Sequence, residues 1–236
     1  MKEGQRIAVL ASGGGTTFEA YVNAALEDPS IPQVGLVICN KPDAGIFEKV
    51  NQFNEKFSDQ LDIKSKLING ELFPKGDLGR GQTAQESAEI CKAIRKADIG
   101  FVALMGYMII IPEKSELLNE YGWLPEYAEE YPRNNGIYLS SMLNTHPGIL
   151  PATQDTWGVH ASKKVLSLGL DKSAHTVHGV SANVDEGPIF AEHEVPVLKS
   201  DTPKRLFERI QKVEKAKLPQ DIARFLKKQS KFLGDE

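Results

Sequence analysis

Apolar residues in this chain fall into two patterns. Short unbroken runs occur at Arg6–Ala11 (RIAVLA), Val34–Cys39 (VGLVIC) and Ile99–Leu104 (IGFVAL). Runs of that length, bounded by Gly, Asn or Asp, read as strands buried on both faces, the signature of a parallel sheet. Between them the spacing is that of helices: Phe18–Leu26, Ile46–Phe57 and Thr83–Lys96, the last with Ala84, Ala88, Cys91 and Ile94 on or near one face. Strand, glycine-rich turn, helix and strand again is the opening of an α/β fold. Ser58–Arg80 shows no clear period. Pro112–Tyr138 is acidic and carries Tyr121, Trp123, Tyr127 and Tyr131, and reads as a helix plus an irregular excursion. Ser140–Asn144 reads as a short strand and Gly158–Leu168 as a helix. Ala174–Ala182 and Ile189–Val197 read as paired strands joined around Asp185-Glu186-Gly187. A closing helix is expected over Pro203–Leu226, interrupted at Pro219, and the polar tail Lys227–Glu236 is expected to fray. The expected architecture is an α/β three-layer sandwich with a Rossmann-like N-terminal half and a mostly parallel central sheet.

Composition narrows the function classes. The chain has 236 residues, 41% of them hydrophobic, enough for one sizeable core. No repeat or low-complexity linker divides it, so one domain is expected. A net charge of −4 gives no bulk electrostatic reason to bind nucleic acid. No segment reads as a signal peptide or membrane span, so a soluble, cytoplasmic protein is expected. Cys39 and Cys91 lie far apart in apolar or helical contexts and read as reduced core thiols.

Chemistry concentrates in Leu143-Asn144-Thr145-His146-Pro147-Gly148-Ile149-Leu150-Pro151, and in Asp185 about forty residues later. An amide can hold a carbonyl oxygen, an imidazole moves protons near neutral pH, and a carboxylate orients and charges the imidazole. The trio suits acyl chemistry without a metal or a covalent nucleophile. Ser12-Gly13-Gly14-Gly15-Thr16-Thr17, at a strand-to-helix junction, offers free backbone N–H groups and a positive helix end, a place for a phosphate. It lacks the Gly-Lys-Ser/Thr ending of a Walker loop and the GxGxxG spacing of dinucleotide folds. Four of the five histidines fall between His160 and His193. His175 and His178, three apart on a strand, point to opposite faces and do not readily share an ion, and no HExxH spacing occurs. No metal is expected. His178 shares a face with Thr176 and is a supporting candidate in the same pocket as Asp185.

Taken together, these stretches resemble the glycinamide ribonucleotide formyltransferases. Asn144–Pro151 is similar to their N-x-H-P-S-L-L-P signature, and Ala11–Phe18 to their phosphate loop. Cys39–Ala44 is similar to the segment after their second strand, and Leu104–Met108 to their folate-side turn. His175–Val180 and Val184–Ile189 are similar to T-V-H-x-V and D-x-G-P-I/V. Glu214 and Pro219 fall where the family's closing helix carries Glu and Pro. The resemblance covers Arg6 to about Leu226. It implies a phosphate-binding half up to about residue 108 and a folate-binding, catalytic half from about 109 to 226.

The resemblance also implies roles. Gly14, Gly15, Thr16 and Thr17 would hold a ribose phosphate, Met108 would lie beside the acceptor, and Glu214 would bind its ribose hydroxyls. Tyr107, Met108, Ile109, Ile110 and Ile111, with Val180, Ser181 and Asp185, would line the pterin site. Asn144 would bind the formyl oxygen, His146 would stabilise the oxyanion, and Asp185 would charge His146 and assist proton removal. The co-substrate would be 10-formyltetrahydrofolate and the partners small molecules, in a monomer or homodimer. The chain departs from the family with Thr17 for a common Asn, Ile109 for Arg, Gly148 for Ser, and Ala182 and Asn183 for acidic residues; residues 108–144 are also longer than usual. The alternatives are formyl transfer to another phosphorylated or sugar-nucleotide amine, formyltetrahydrofolate hydrolysis, and a silent nucleotide-binding module. Intact Asn144, His146 and Asp185 argue against the last.

Overall fold

The computed structural model describes residues 6–69 and 81–234. The sequence-based readings of residues 1–5, of 70–80 within Ser58–Arg80, and of the last two residues lie outside the described residues. The chain runs β1 (Arg6–Ala11), α1 (Thr16–Glu27), β2 (Gln33–Cys39), α2 (Ile46–Lys56), β3 (Lys64–Leu67), α3 (Ala84–Lys96), β4 (Val102–Leu104), α4 (Glu116–Tyr121), α5 (Pro125–Glu130), a 3₁₀ turn (Ile137–Leu139), β5 (Met142–His146), α6 (Val159–Ser167), β6 (Lys172–Gly179), β7 (Ile189–Pro196) and α7 (Pro203–Leu233).

The strands form one seven-stranded sheet in the order β3-β2-β1-β4-β5-β6-β7. The first five are parallel to one another, β6 runs antiparallel to β5, and β7 runs antiparallel to β6. Alternation along β1 shows why the sheet is a middle layer. Ile7, Val9 and Ala11 join Phe18, Tyr21, Ile46, Val50, Ile222 and Phe225 under α1, α2 and α7. Ala8 and Leu10 join Ile90, Ile94, Leu117 and Leu118 under α3 and α4. Both faces are covered, so the unbroken apolar runs are what a doubly covered parallel sheet requires. Helix α3 begins with a capping box: the Thr83 hydroxyl accepts from Glu86 N at 3.1 Å, and the Glu86 carboxylate accepts from Thr83 N at 2.7 Å. Such a cap contributes about 1 kcal/mol.

Two expectations are corrected. Pro219 does not interrupt the last helix, which continues from Pro203 to Leu233. Proline inside a helix costs about 3 kcal/mol. Leu218, Ile222, Phe225 and Leu226 are all buried against the sheet. Four such side chains at about 1.5–3 kcal/mol each outweigh one lost hydrogen bond and a local clash.

The tail from Lys227 to Leu233 does not fray either. Gln229 Nε2 donates to the carbonyls of Tyr138 at 3.0 Å and Ser140 at 2.9 Å, and the Phe232 ring lies 5.1 Å from Tyr131 and 5.8 Å from Tyr138. The long segment before β5 is thus a buttress. Its Leu117, Leu118 and Tyr121 enter the core, Tyr131 and Tyr138 receive the end of α7, and the backbone N–H of Trp123 donates to Val180 O at 2.7 Å. Aromatic pairs of this kind are worth about 0.5–1.5 kcal/mol each. Phe232→Ala is therefore expected to lower Tm by roughly 2–8 °C in calorimetry; an unchanged Tm would show that the last turns contribute nothing.

Candidate active site

The sheet reverses its strand order between β1 and β4. In open α/β sheets the crevice beyond the carboxyl ends of the strands at that point is where ligands bind. A cleft of about 790 Å³ opens there, within the size range of small-molecule sites. The residues after β1, β4 and β5 and the loop between β6 and β7 converge on it.

Strand β5 runs two residues further than expected and ends at His146 itself. Asn144 and His146, two apart on one strand, therefore share a face. The β5–β6 register sets Asn144 opposite His178 and His146 opposite Thr176. Thr176 Oγ1 donates to Gly148 O at 2.8 Å, holding the turn that follows. Asp185, with φ 57°, comes over from the β6–β7 loop. Its two oxygens face His146 Nδ1 at 3.4 Å and His178 Nε2 at 3.5 Å. Asn144, His146, His178 and Asp185 all line the cleft.

Counting protons assigns the tautomers. The Thr153 hydroxyl lies 2.8 Å from Ile149 O, to which it donates, and 2.9 Å from His146 Nε2. Its single proton is committed to the carbonyl, so its oxygen accepts from His146 Nε2–H. The exchangeable position of His146 is therefore Nδ1, the nitrogen facing Asp185. His178 Nδ1 lies 2.9 Å from Gly179 O and must donate there. Its Nε2 accepts from the Asn144 amide nitrogen at 3.1 Å, which leaves Asn144 a second N–H. Gly148 makes the Thr153 contact possible, since a Cβ at this position would lie 2.2 Å from Thr153 Oγ1 and 3.0 Å from His146 Nε2.

Burial pushes the His146 pKa down to about 4, opposed by the charge of Asp185. The imidazole is thus neutral at rest at pH 7. In the folded protein it resists protonation that the unfolded chain accepts near 6.5, so its contribution to stability is complete above pH 6.5. That contribution is lost as pH falls toward 4. Thr153→Val is expected to remove the Nε2–H preference; ¹⁵N NMR of His146 would then show a mixed tautomer, together with a lowered kcat. A wild-type spectrum in the variant would refute the assignment.

At the other end of the cleft, Thr17 Oγ1 donates to Glu214 Oε1 at 3.1 Å. Burial raises the Glu214 pKa, opposed by the Thr17 and Thr145 hydroxyls. Of the phosphate-loop residues, Thr17 lines the cleft directly. Gly14, Gly15 and Thr16 sit beside it at the start of α1. Gly15 caps that helix at φ 70° with no side-chain cap, and a Cβ there would lie 2.8 Å from Ile46. Its glycine identity is a steric requirement, and the first N–H groups of α1 have no side-chain partner at this cap. Sequence reasoning assigned no role to Lys41, Phe207, Gln211 or Trp157, all of which line this cleft. Lys41 carried a signal, being a cation just past the carboxyl end of β2. Gln211 and Phe207 lie one and two turns before Glu214 on α7, a spacing that could have found them.

The remaining candidates also meet in this cleft: Tyr107, Met108, Ile109, Ile110 and Ile111 on one wall, and Val180, Ser181 and Asp185 on another. Ser12 Oγ accepts from Met108 N at 2.8 Å, and Gln82 Nε2 bonds the Tyr107 hydroxyl at 2.9 Å. Gln82 N also donates to Ile110 O at 2.9 Å. The first wall is thereby tied to both β1 and the segment before α3.

Residues 5–122 and 137–222 match the family model described as Formyl transferase. The unmatched residues 123–136 contain α5, and the end of α7 that packs on this segment also lies beyond the match. The chain is 28% identical to the phosphoribosylglycinamide formyltransferase of Bacillus subtilis (strain 168), over 94% of this chain and 95% of that one. It is also 28% identical to part of the human trifunctional purine biosynthetic protein adenosine-3, covering 90% of this chain but 17% of that protein. Among solved structures, phosphoribosylglycinamide formyltransferase from Bacillus halodurans superposes with a TM-score of 0.72 at 26% identity, over 94% of this chain and 95% of that one. With a match over most of its length, and with amide, imidazole and carboxylate together in one cleft, the chain belongs to the formyl transferase family.

Proposed function

We propose that this protein transfers the formyl group of 10-formyltetrahydrofolate to the amine of glycinamide ribonucleotide. The observation that carries this reading is the placement of Asn144, His146 and Asp185 together in a single cleft. One end of that cleft has Thr17, Lys41 and Glu214 next to the N-terminus of α1. This end suits a phosphorylated, hydroxyl-bearing acceptor. The apolar walls at Tyr107–Ile111 and Val180–Asp185 suit the flat ring system of the donor.

The reaction follows from the tautomers. The acceptor amine attacks the formyl carbon, forming a C–N bond and a tetrahedral oxyanion. The free N–H of Asn144 donates to that oxygen. The attacking nitrogen, now positive, must lose a proton. His146 Nδ1 is bare and faces Asp185, so these two groups form the place for that proton, while His178 Nε2 holds the Asn144 amide beside them. A proton on His146 Nδ1 is shared with Asp185 and turns the imidazole cationic beside the new oxyanion, where charge stabilisation is most effective. His146 is neutral before attack and charged only while the intermediate exists, which is differential stabilisation of the transition state. The same proton is then delivered to N10 as the C–N10 bond breaks, leaving tetrahydrofolate and the formylated amine.

The test is turnover. Purified protein with 10-formyltetrahydrofolate and glycinamide ribonucleotide is expected to release tetrahydrofolate, followed by its absorbance. Transfer only to another amine, or water-dependent release alone, would overturn the acceptor assignment.

A further inference from the structure

Behind the catalytic strands, on the sheet face covered by α7, three ligand-type side chains meet. Strands β6 and β7 pair with His175 opposite His193, and Asp221 reaches them from α7. One ring nitrogen of each histidine and one carboxylate oxygen of Asp221 lie within 4.8 Å of one another. His193 Nε2 is 2.7 Å from Asp221 Oδ2, and the two imidazoles are stacked 5.8 Å apart at 8°. None of the three lines the cleft. A second group, Cys91, Glu116 and Glu120, is occupied differently: Arg95 pairs with both carboxylates, and burial pushes the Cys91 thiol up to about 12.

The proton count around His175 leaves something missing. His175 Nε2 lies 2.7 Å from Thr145 Oγ1, which accepts from it or donates to it according to the tautomer. In the tautomer that carries its proton on Nε2, the other nitrogen, Nδ1, has a bare lone pair. It is fully buried and has no hydrogen-bond partner among the described residues. A buried acceptor left in this state costs about 1–3 kcal/mol.

We propose that His175, His193 and Asp221 hold a divalent transition-metal ion of the zinc class, which takes the place of the proton shared by His193 and Asp221. Two neutral imidazoles and one carboxylate are a zinc donor set, with a fourth position for water. Supporting partners for the ligands are already present. Arg224 donates to Asp221 Oδ1 at 2.7 Å and orients the carboxylate, and Thr145 orients the His175 ring. His193, 22% exposed, is the way in, while the other two ligands are buried. The ion ties β6, β7 and α7 together directly behind the strands that carry His146 and His178. Its role is structural, and formyl transfer does not run through it.

The test uses the full chain, stripped with a chelator and titrated with Zn²⁺ alone in a calorimeter, with Co²⁺ as an optical probe. The expected result is one ion per chain, visible Co²⁺ bands of tetrahedral type and a raised Tm. His193→Gln and Asp221→Asn, at sites where folding is checked by circular dichroism, are each expected to weaken Zn²⁺ binding more than about 10-fold. His146→Ala is expected to bind Zn²⁺ as the wild type does. No Zn²⁺ binding by the folded wild type would overturn the proposal. So would binding that survives the His193→Gln/Asp221→Asn double substitution, or binding that disappears in His146→Ala.

Discussion

His146→Ala is expected to lower kcat by about 10²–10⁴-fold, and Asp185→Asn by a comparable factor. The two groups act on one proton, so the double variant should be scarcely worse than the more damaging single one, as for residues that work as a unit. The geometry gives the reason. His146 Nε2 is committed to Thr153, and only Nδ1, 3.4 Å from Asp185, is left to receive a proton. Alanine removes the base and the charge that forms beside the oxyanion. Asparagine keeps the shape of Asp185 but not the negative charge that offsets the cost of a buried imidazolium, so the His146 pKa should fall further below about 4. KM should change little, because neither group makes its strongest contact in the ground state. Steady-state kinetics would decide the matter. Near-wild-type kcat in either variant, or strictly additive losses in the double one, would remove the shared-proton mechanism.

Gly187→Ala is expected to be the most damaging conservative change away from the catalytic trio. A Cβ at Gly187 would lie 1.8 Å from Gly179 O and 2.7 Å from its carbonyl carbon. Both are backbone atoms of β6 and cannot swing aside as a side chain can. The loop would have to lift, straining the Gly179 N–H to Pro188 O bond of 2.9 Å. Asp185 lies two residues earlier, already in the left-handed region at φ 57°. Overpacking costs about 1–3 kcal/mol, and a displacement of about 1 Å at a reacting group costs roughly 10²-fold in rate. The variant should therefore lose both Tm and kcat. Gly100→Ala is the control, since a Cβ there meets nothing within 4 Å, and it should change stability by less than about 0.5 kcal/mol. Equal behaviour of the two variants in thermal melts would show that the loop tolerates a side chain and that Asp185 is positioned some other way.

Much of this site was legible without coordinates because its parts are local. The Asn144–His146 spacing puts both groups on one strand face, and a glycine-rich turn between β1 and α1 exposes the backbone at a helix start. The resemblance carried Asp185, Glu214 and the Tyr107–Ile111 turn to the same pocket, and all of them line it. What was missed is non-local or depends on which hydroxyl meets which nitrogen. Gly148 read as a departure from the family's serine. In the folded chain that glycine is the space into which the Thr153 hydroxyl enters to bond His146. Phe207 and Gln211 reach the cleft from α7, which packs on α1, β6 and β7, and Lys41 reaches it from the loop after β2.

Periodicity and turn chemistry determined most of the strands and helices, their alternation and the layered α/β architecture, because each depends on residues a few positions apart; β3 and the division into α4 and α5 lay in stretches without a clear period. Tertiary structure alone decided the rest. Pro219 looks like a breaker, and the burial of Leu218, Ile222, Phe225 and Leu226 carries the helix through it. The tail looks polar and loose, and Tyr131 and Tyr138, about a hundred residues away in the chain, hold it in place. His175 was set apart from His178 correctly, yet its neighbour His193 becomes visible only in the β6–β7 register, which contains an irregularity at Val177/His178. Local pattern says which residues can be buried; the free energy of burying them together decides which partners meet.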